Sequence, residues 1–277
     1  MTTRPTTAAR LHRVSVGVVA LSVAEYEGAG PALVLIHGIG SRGVSWWPVV
    51  DELAQHFRLI VPDLRGHGDS DKPASGYLPT DYAADLAALV DSLGLAEFSI
   101  VGHSLGGIVA LTWALSHPGR ARRIVLEDVP LRGGSRADPR FDEWIALAGL
   151  TVVGATDYYR REYPGWTGED CRRRAESITA TSPAVFAELR DLSVGGDDAD
   201  RIALLAAIRS PVLLVRGDPE TGSMIAPVDA QRLVAIVPGA RVAHIPGGTH
   251  FLHRDQSEAF LAAVVPFLLG EPASALG

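Results

Sequence analysis

The chain has 277 residues, 47% of them hydrophobic and 21% charged, with one cysteine and a formal net charge of −7. That composition suits a large buried core, and the mildly acidic balance excludes nucleic acid as the main partner. A lone cysteine, Cys171, excludes an internal disulfide or a thiolate metal site and fits a reducing compartment.

Near the start, Arg4, Arg10 and Arg13 precede an apolar run over residues 14–24, and Ser22-Val23-Ala24 resembles a signal cleavage site. Alternation at Val16, Val18, Ala20 and Ser22 favours a strand or hairpin instead, and with it a cytoplasmic chain. No other run is long enough for a membrane span. Residues 32–37, 58–61, 98–101 and 123–126 are short apolar runs of the kind buried on both faces of a parallel sheet. Between them, residues 81–93 and 107–116 carry helical spacing. Such repeated strand–helix units imply a doubly wound parallel sheet in an α/β fold.

The rhythm stops over residues 131–209. Helical stretches fall near residues 141–148, 169–179 and 183–192, so this segment reads as an inserted helical cap. Its densest basic run, Arg172-Arg173-Arg174, reads as a solvated helix face. Strands return at residues 212–215 and 240–245, and a last helix spans 257–269. The predicted division is a core of residues 10–130 and 210–270, a cap of 131–209, and flexible tails at 1–9 and 271–277.

Gly102-His103-Ser104-Leu105-Gly106 stands between a predicted strand and a predicted helix. A serine projected from so tight a turn needs small flanking residues, and the following helix aims its N-terminal N–H groups at developing negative charge. Ser104 is therefore the candidate nucleophile. His37-Gly38-Ile39-Gly40 follows a buried strand, so the N–H groups of Ile39 and Leu105 form a candidate oxyanion hole. His250, in a Gly-rich loop after the last strand, is the candidate general base, ahead of His244 and His253.

With Trp47-Pro48, the stretch Asp63 to Ser70, Pro211 and Gly217 in the same order, these motifs resemble the α/β-hydrolase superfamily over residues 14–269. The resemblance implies a serine–acid–histidine triad. Three carboxylates compete for the acid: Asp218 first, then Asp128 at the end of the sixth strand, then Glu220. It also implies that residues 63–70 form a structural turn, and that a cap follows the sixth strand. The implied activity is acyl-enzyme hydrolysis of a small to medium ester or lactone, with no metal or organic cofactor. Carbon–carbon bond hydrolysis and aminopeptidase activity are the hydrolytic alternatives; a cofactor-free lyase or a non-catalytic ligand-binding protein, which the same fold also serves, are the alternatives of another class. A small-molecule substrate is the expected partner. His103, Trp46, Trp47, Trp144, Tyr158 and Trp166 are the candidate pocket residues, and Arg136, Arg160 and Arg161 are cap cations that could meet a substrate carboxylate.

Overall fold

The computed structural model describes residues 6–131, 139–195 and 205–271. Its single sheet runs in the order β1-β2-β4-β3-β5-β6-β7-β8. Strands β1 (Ala9–Ser15) and β2 (Ala20–Tyr26) form an antiparallel hairpin, and β2 pairs antiparallel with β4 (Arg58–Pro62). The remaining strands are parallel: β3 (Ala32–Ile36), β5 (Phe98–His103), β6 (Ile124–Glu127), β7 (Val212–Arg216) and β8 (Arg241–His244). The apolar run at residues 14–24 is thus two strands folded back at Val16–Val19, where the Val16 N–H meets the Val19 carbonyl. Gly17 takes the left-handed conformation (φ 86°) that this tight turn requires.

Every residue of β3 and β5 is buried, which is why β3 is an unbroken apolar run and β5 is mostly apolar rather than alternating. One face of the sheet is covered by α2 (Pro79–Ser92), α3 (Leu105–Ser116) and α8 (Pro227–Ile236), through Leu86, Leu89, Val109, Trp113 and Leu233. The other is covered by α1 (Val50–His56) and α10 (Ser257–Leu269), through Leu53, Phe260 and Val264, with α9 (Leu252–Asp255) leading into α10. Phe260 is fully buried here, so truncation to alanine is expected to cost about 3–5 kcal/mol.

Between β6 and β7 the chain forms α4 (Arg140–Ala148), α5 (Val152–Glu162), α6 (Gly168–Thr179) and α7 (Pro183–Gly195). Leu147, Ala155, Tyr159, Cys171, Ile178 and Phe186 give these helices an apolar cluster of their own. Thr151 and Thr167 cap α5 and α6, and Asp170 completes a capping box with Thr167. Helix α5 escapes the sequence reading because it opens on β-branched Val152-Val153 and buries only Ala155, Thr156 and Tyr159. At the N-terminal end, Ala9 is in β1, and the N–H groups of Thr6 and Thr7 donate to the Asp51 carboxylate. No described helix is long and apolar enough to cross a membrane.

Candidate active site

Ser104 stands between β5 and α3 with φ 50° and ψ −114°. The turn is closed by the Gly107 N–H on the Ser104 carbonyl and by the Ser104 N–H on the Glu127 carbonyl at the end of β6. Both flanking glycines are sterically required. A Cβ on Gly102 would lie 2.5 Å from the Gly106 carbonyl oxygen, and one on Gly106 would lie 2.2 Å from the carbonyl oxygen of Ile36. The serine is therefore held by contacts that admit no other turn, which is how a costly backbone conformation persists.

Only two non-glycine residues among those described have positive φ: Ser104 and, at φ 44°, Asp128. Asp128 follows β6, anchored by its N–H on the Val215 carbonyl. Its carboxylate is fully buried and accepts His250 Nδ1–H at 2.6 Å, the Met224 N–H at 2.8 Å and the Ser223 hydroxyl. A carboxylate can only accept here, so the His250 proton sits on Nδ1 and Nε2 is left as the basic nitrogen.

Asp218, expected as the partner of His250, is engaged elsewhere. Its Oδ1 accepts His244 Nε2–H at 2.5 Å and its Oδ2 the Gly247 N–H at 2.7 Å. The Gly247 N–H and then His244 hold its carboxyl below the ordinary aspartate value. Asp218 thus meets the backbone of the histidine loop at Gly247 and Gly248 rather than the His250 ring. Glu220 is exposed on the short 3-10 turn Pro219–Thr221.

The oxyanion loop is fixed from below by two neutral imidazoles. His37 donates from Nδ1 to the Gly38 carbonyl and accepts the Leu64 N–H at Nε2. His67 donates to the Arg65 carbonyl and accepts the Gly40 N–H. Burial pushes both well towards the neutral form, which this donor–acceptor arrangement requires. Asp63 receives the N–H groups of Gly43 and Asp69, so the 63–70 turn has the task of holding residues 38–43 in place. The N–H groups of Ile39 and Leu105 have no hydrogen-bond partner among the described residues, and they are the free donors such a site needs.

The candidate pocket residues scatter. Trp46 is fully buried beneath the site against His253 and Phe260, so it belongs to the core and not to a pocket. His103 is also buried: its Nε2–H donates to the His250 carbonyl at 2.8 Å, and a Cβ on Gly38 would lie 2.8 Å from its Nδ1. It ties the elbow to the histidine loop instead of lining a cavity, and burial then the neighbouring His250 keep it uncharged. Trp144 packs on Phe141 and Phe186 within the helical insertion, and Tyr158 donates to Glu143. Trp47 and Trp166 line an open cavity beside the oxyanion loop. Arg160 and Arg161 pair with Asp157 and Glu162 at the surface, and Arg136 lies outside the described residues.

Several contributors had no mark in the sequence. Ser223 and Met224 clamp Asp128 from the segment after β7. Glu127 grips both the N–H and Nδ1–H of buried His253 at 2.8 Å, so adjacent acids fasten the loop at two points. Ile178 and Phe186 roof the oxyanion loop, within 2.9 Å and 3.2 Å of where a Cβ on Gly40 would stand. Arg174, in the run expected to face solvent, turns inward and donates to the Gly40 carbonyl.

This arrangement, on this sheet, is that of a nucleophile-elbow hydrolase, and residues 31–169 match the family profile of the alpha/beta hydrolase fold. The chain belongs to the α/β-hydrolase family. It is 32% identical over 248 residues to N-formylmaleamate deformylase of Pseudomonas putida, covering 88% of this chain and 90% of that one. To 2-(acetamidomethylene)succinate hydrolase of Mesorhizobium japonicum it is 29% identical over 269 residues, 92% of this chain and 94% of the relative. Crystal structures carrying these two activities superpose with TM-scores of 0.80 and 0.77 at 27% and 28% identity, covering 92% and 94% of this chain and 100% and 99% of theirs. Family and relatives together support hydrolase activity.

Proposed function

We propose that this chain is a serine hydrolase that cleaves an ester or N-acyl bond in a small, carboxylate-bearing substrate. The observation that carries the reading is the bond from His250 Nδ1–H to buried Asp128, on the loop facing the strained serine turn. His250 Nε2 takes the Ser104 proton as Oγ attacks the carbonyl carbon. The N–H groups of Ile39 and Leu105 receive the oxyanion. Collapse of the tetrahedral adduct breaks the bond to the leaving group, which takes the proton from His250. Water then enters by the same route, reforming Ser104 and releasing the acid. Asp128 keeps the ring in the reactive tautomer and stabilises the imidazolium formed at each step.

The substrate class is supported by the two relatives. Each is named for a small acid that carries an N-acyl group, so the reading widens from the simple ester expected of the sequence to a hydrolase of another acyl bond. A fluorophosphonate probe tests the reading, together with p-nitrophenyl acetate and an N-acyl enamine acid as substrates. Wild type should be labelled and should turn over at least one substrate, and Ser104→Ala should lose both. A well-folded wild type that is neither labelled nor active would overturn it.

A further inference from the structure

An open cavity of about 1170 Å³ lies beside the oxyanion loop and holds five arginines: Arg42, Arg172, Arg173, Arg174 and Arg254. Three of these are ion-paired, sharing the two carboxylates Glu169 and Glu176. Arg42 pairs with Glu176, Arg172 with Glu169 and Glu176, and Arg173 with Glu169. The other two have no ion pair among the described residues. Arg174 gives one nitrogen to the Gly40 carbonyl and lies over the Tyr159 ring at 5.8 Å, while the Arg254 guanidinium makes no hydrogen bond and rests 4.9 Å above the Phe251 ring. Four further acids line the cavity: Asp69, and Asp63, Asp170 and Asp255, which are committed to the N–H groups of Gly43 and Asp69, to the cap of α6 and to the Thr249 hydroxyl. Burial lowers the Arg254 guanidinium from its ordinary value and Arg174 adds to that, while the charges of Asp255, Asp170 and Glu127 act the other way. Two guanidinium groups outside any ion pair and set against aromatic rings have the chemistry of an anion site.

We propose that Arg174 and Arg254 form a binding site for a small organic carboxylate. The site is joined to the catalytic centre at both ends. Arg174 holds Gly40, one residue from the Ile39 N–H, and the Phe251 ring under Arg254 lies 5.0 Å from His250. The carboxylate can come from the substrate itself, an assignment that rests on the function proposed above, or from a separate effector. Either source uses the same two cations.

The binding test is independent of turnover. Succinate is titrated calorimetrically into Ser104→Ala protein, alone and with Arg254→Met, Arg174→Met or Arg173→Met added. Methionine keeps the apolar stem and removes the charge. Succinate should bind, each of the first two changes should weaken it by about 10-fold or more, and Arg173→Met should alter it by no more than about 2-fold. No binding, or equal binding with and without Arg254 and Arg174 in variants that melt like their parent, would overturn the site. Two kinetic arms then identify the source. If the carboxylate is the substrate's own, Arg254→Met raises KM for mono-p-nitrophenyl succinate and leaves that for p-nitrophenyl acetate unchanged. If it is an effector's, succinate changes kcat for p-nitrophenyl acetate without competing.

Discussion

Two aspartate–histidine pairs stand on neighbouring loops at the carboxyl ends of β6, β7 and β8, with nearly equal bond lengths: Asp128–His250 at 2.6 Å and Asp218–His244 at 2.5 Å. Their surroundings differ. The Asp128 carboxylate is 0% exposed with left-handed backbone, and His250, tied to the elbow through His103, shows 21% of its side chain. Asp218 and His244 are 29% and 39% exposed, and neither has strained φ. Contact geometry alone therefore does not separate a catalytic pair from a structural one. Burial of the acid does, because it makes the imidazolium–carboxylate interaction strong and keeps water from replacing it, and so does backbone strain maintained by neighbouring contacts.

Removing each imidazole gives the largest separation. His250→Ala should lower kcat by roughly 10⁵–10⁶, the scale of losing the base of a catalytic unit, and His244→Ala should change it by no more than about 2-fold in the same ester assay. Next in size is Ser223→Ala. It deletes one donor to the buried Asp128 carboxylate, and kcat should fall by about 10-fold while KM holds, as expected for a charge-assisted bond worth about 1.5–3 kcal/mol.

A smaller effect appears in stability against pH. His37, His67 and His103 have folded pKa values below that of an unfolded histidine. The unfolded chain therefore binds more protons once pH drops below about 6.5, and stability must decline from there downwards. Melting temperature measured from pH 8 to pH 5 should be level at the upper end and fall below about pH 6.5. A level profile throughout would show that these imidazoles are not held neutral.

How much of this the sequence carried depends on the range of each signal. The elbow, the oxyanion loop and the buried strands were legible because each is written within a few consecutive residues: Gly102 to Gly106 leaves steric room for one turn only. His250 was legible from its place after the last strand. Its carboxylate partner was not, because Asp128 lies 122 positions away and only the packed sheet sets which of three loop carboxylates reaches the ring. The favoured Asp218 stood closer to the strand end and before the rigid Pro219, yet it bonds the loop backbone at Gly247. Arg174 did leave a trace. It stands three residues after Cys171 and four before Ile178, so helical spacing places it on the buried stripe of α6 while Arg172 is exposed. The aromatic candidates misled because a tryptophan in sequence carries no sign of whether it lines a cavity or fills a core, and Trp46 fills the core.

The most direct test of the two-pair comparison is the rate of fluorophosphonate labelling at pH 7.5 in Asp128→Asn and Asp218→Asn, each checked for folding by its melting temperature. Asp128→Asn should label roughly 10⁴-fold more slowly than wild type, because asparagine offers the ring a donor and stabilises the wrong tautomer, and Asp218→Asn should label within about 2-fold of wild type. The reverse order, with Asp218→Asn crippled and Asp128→Asn unaffected, would contradict the assignment of Asp128 as the acid.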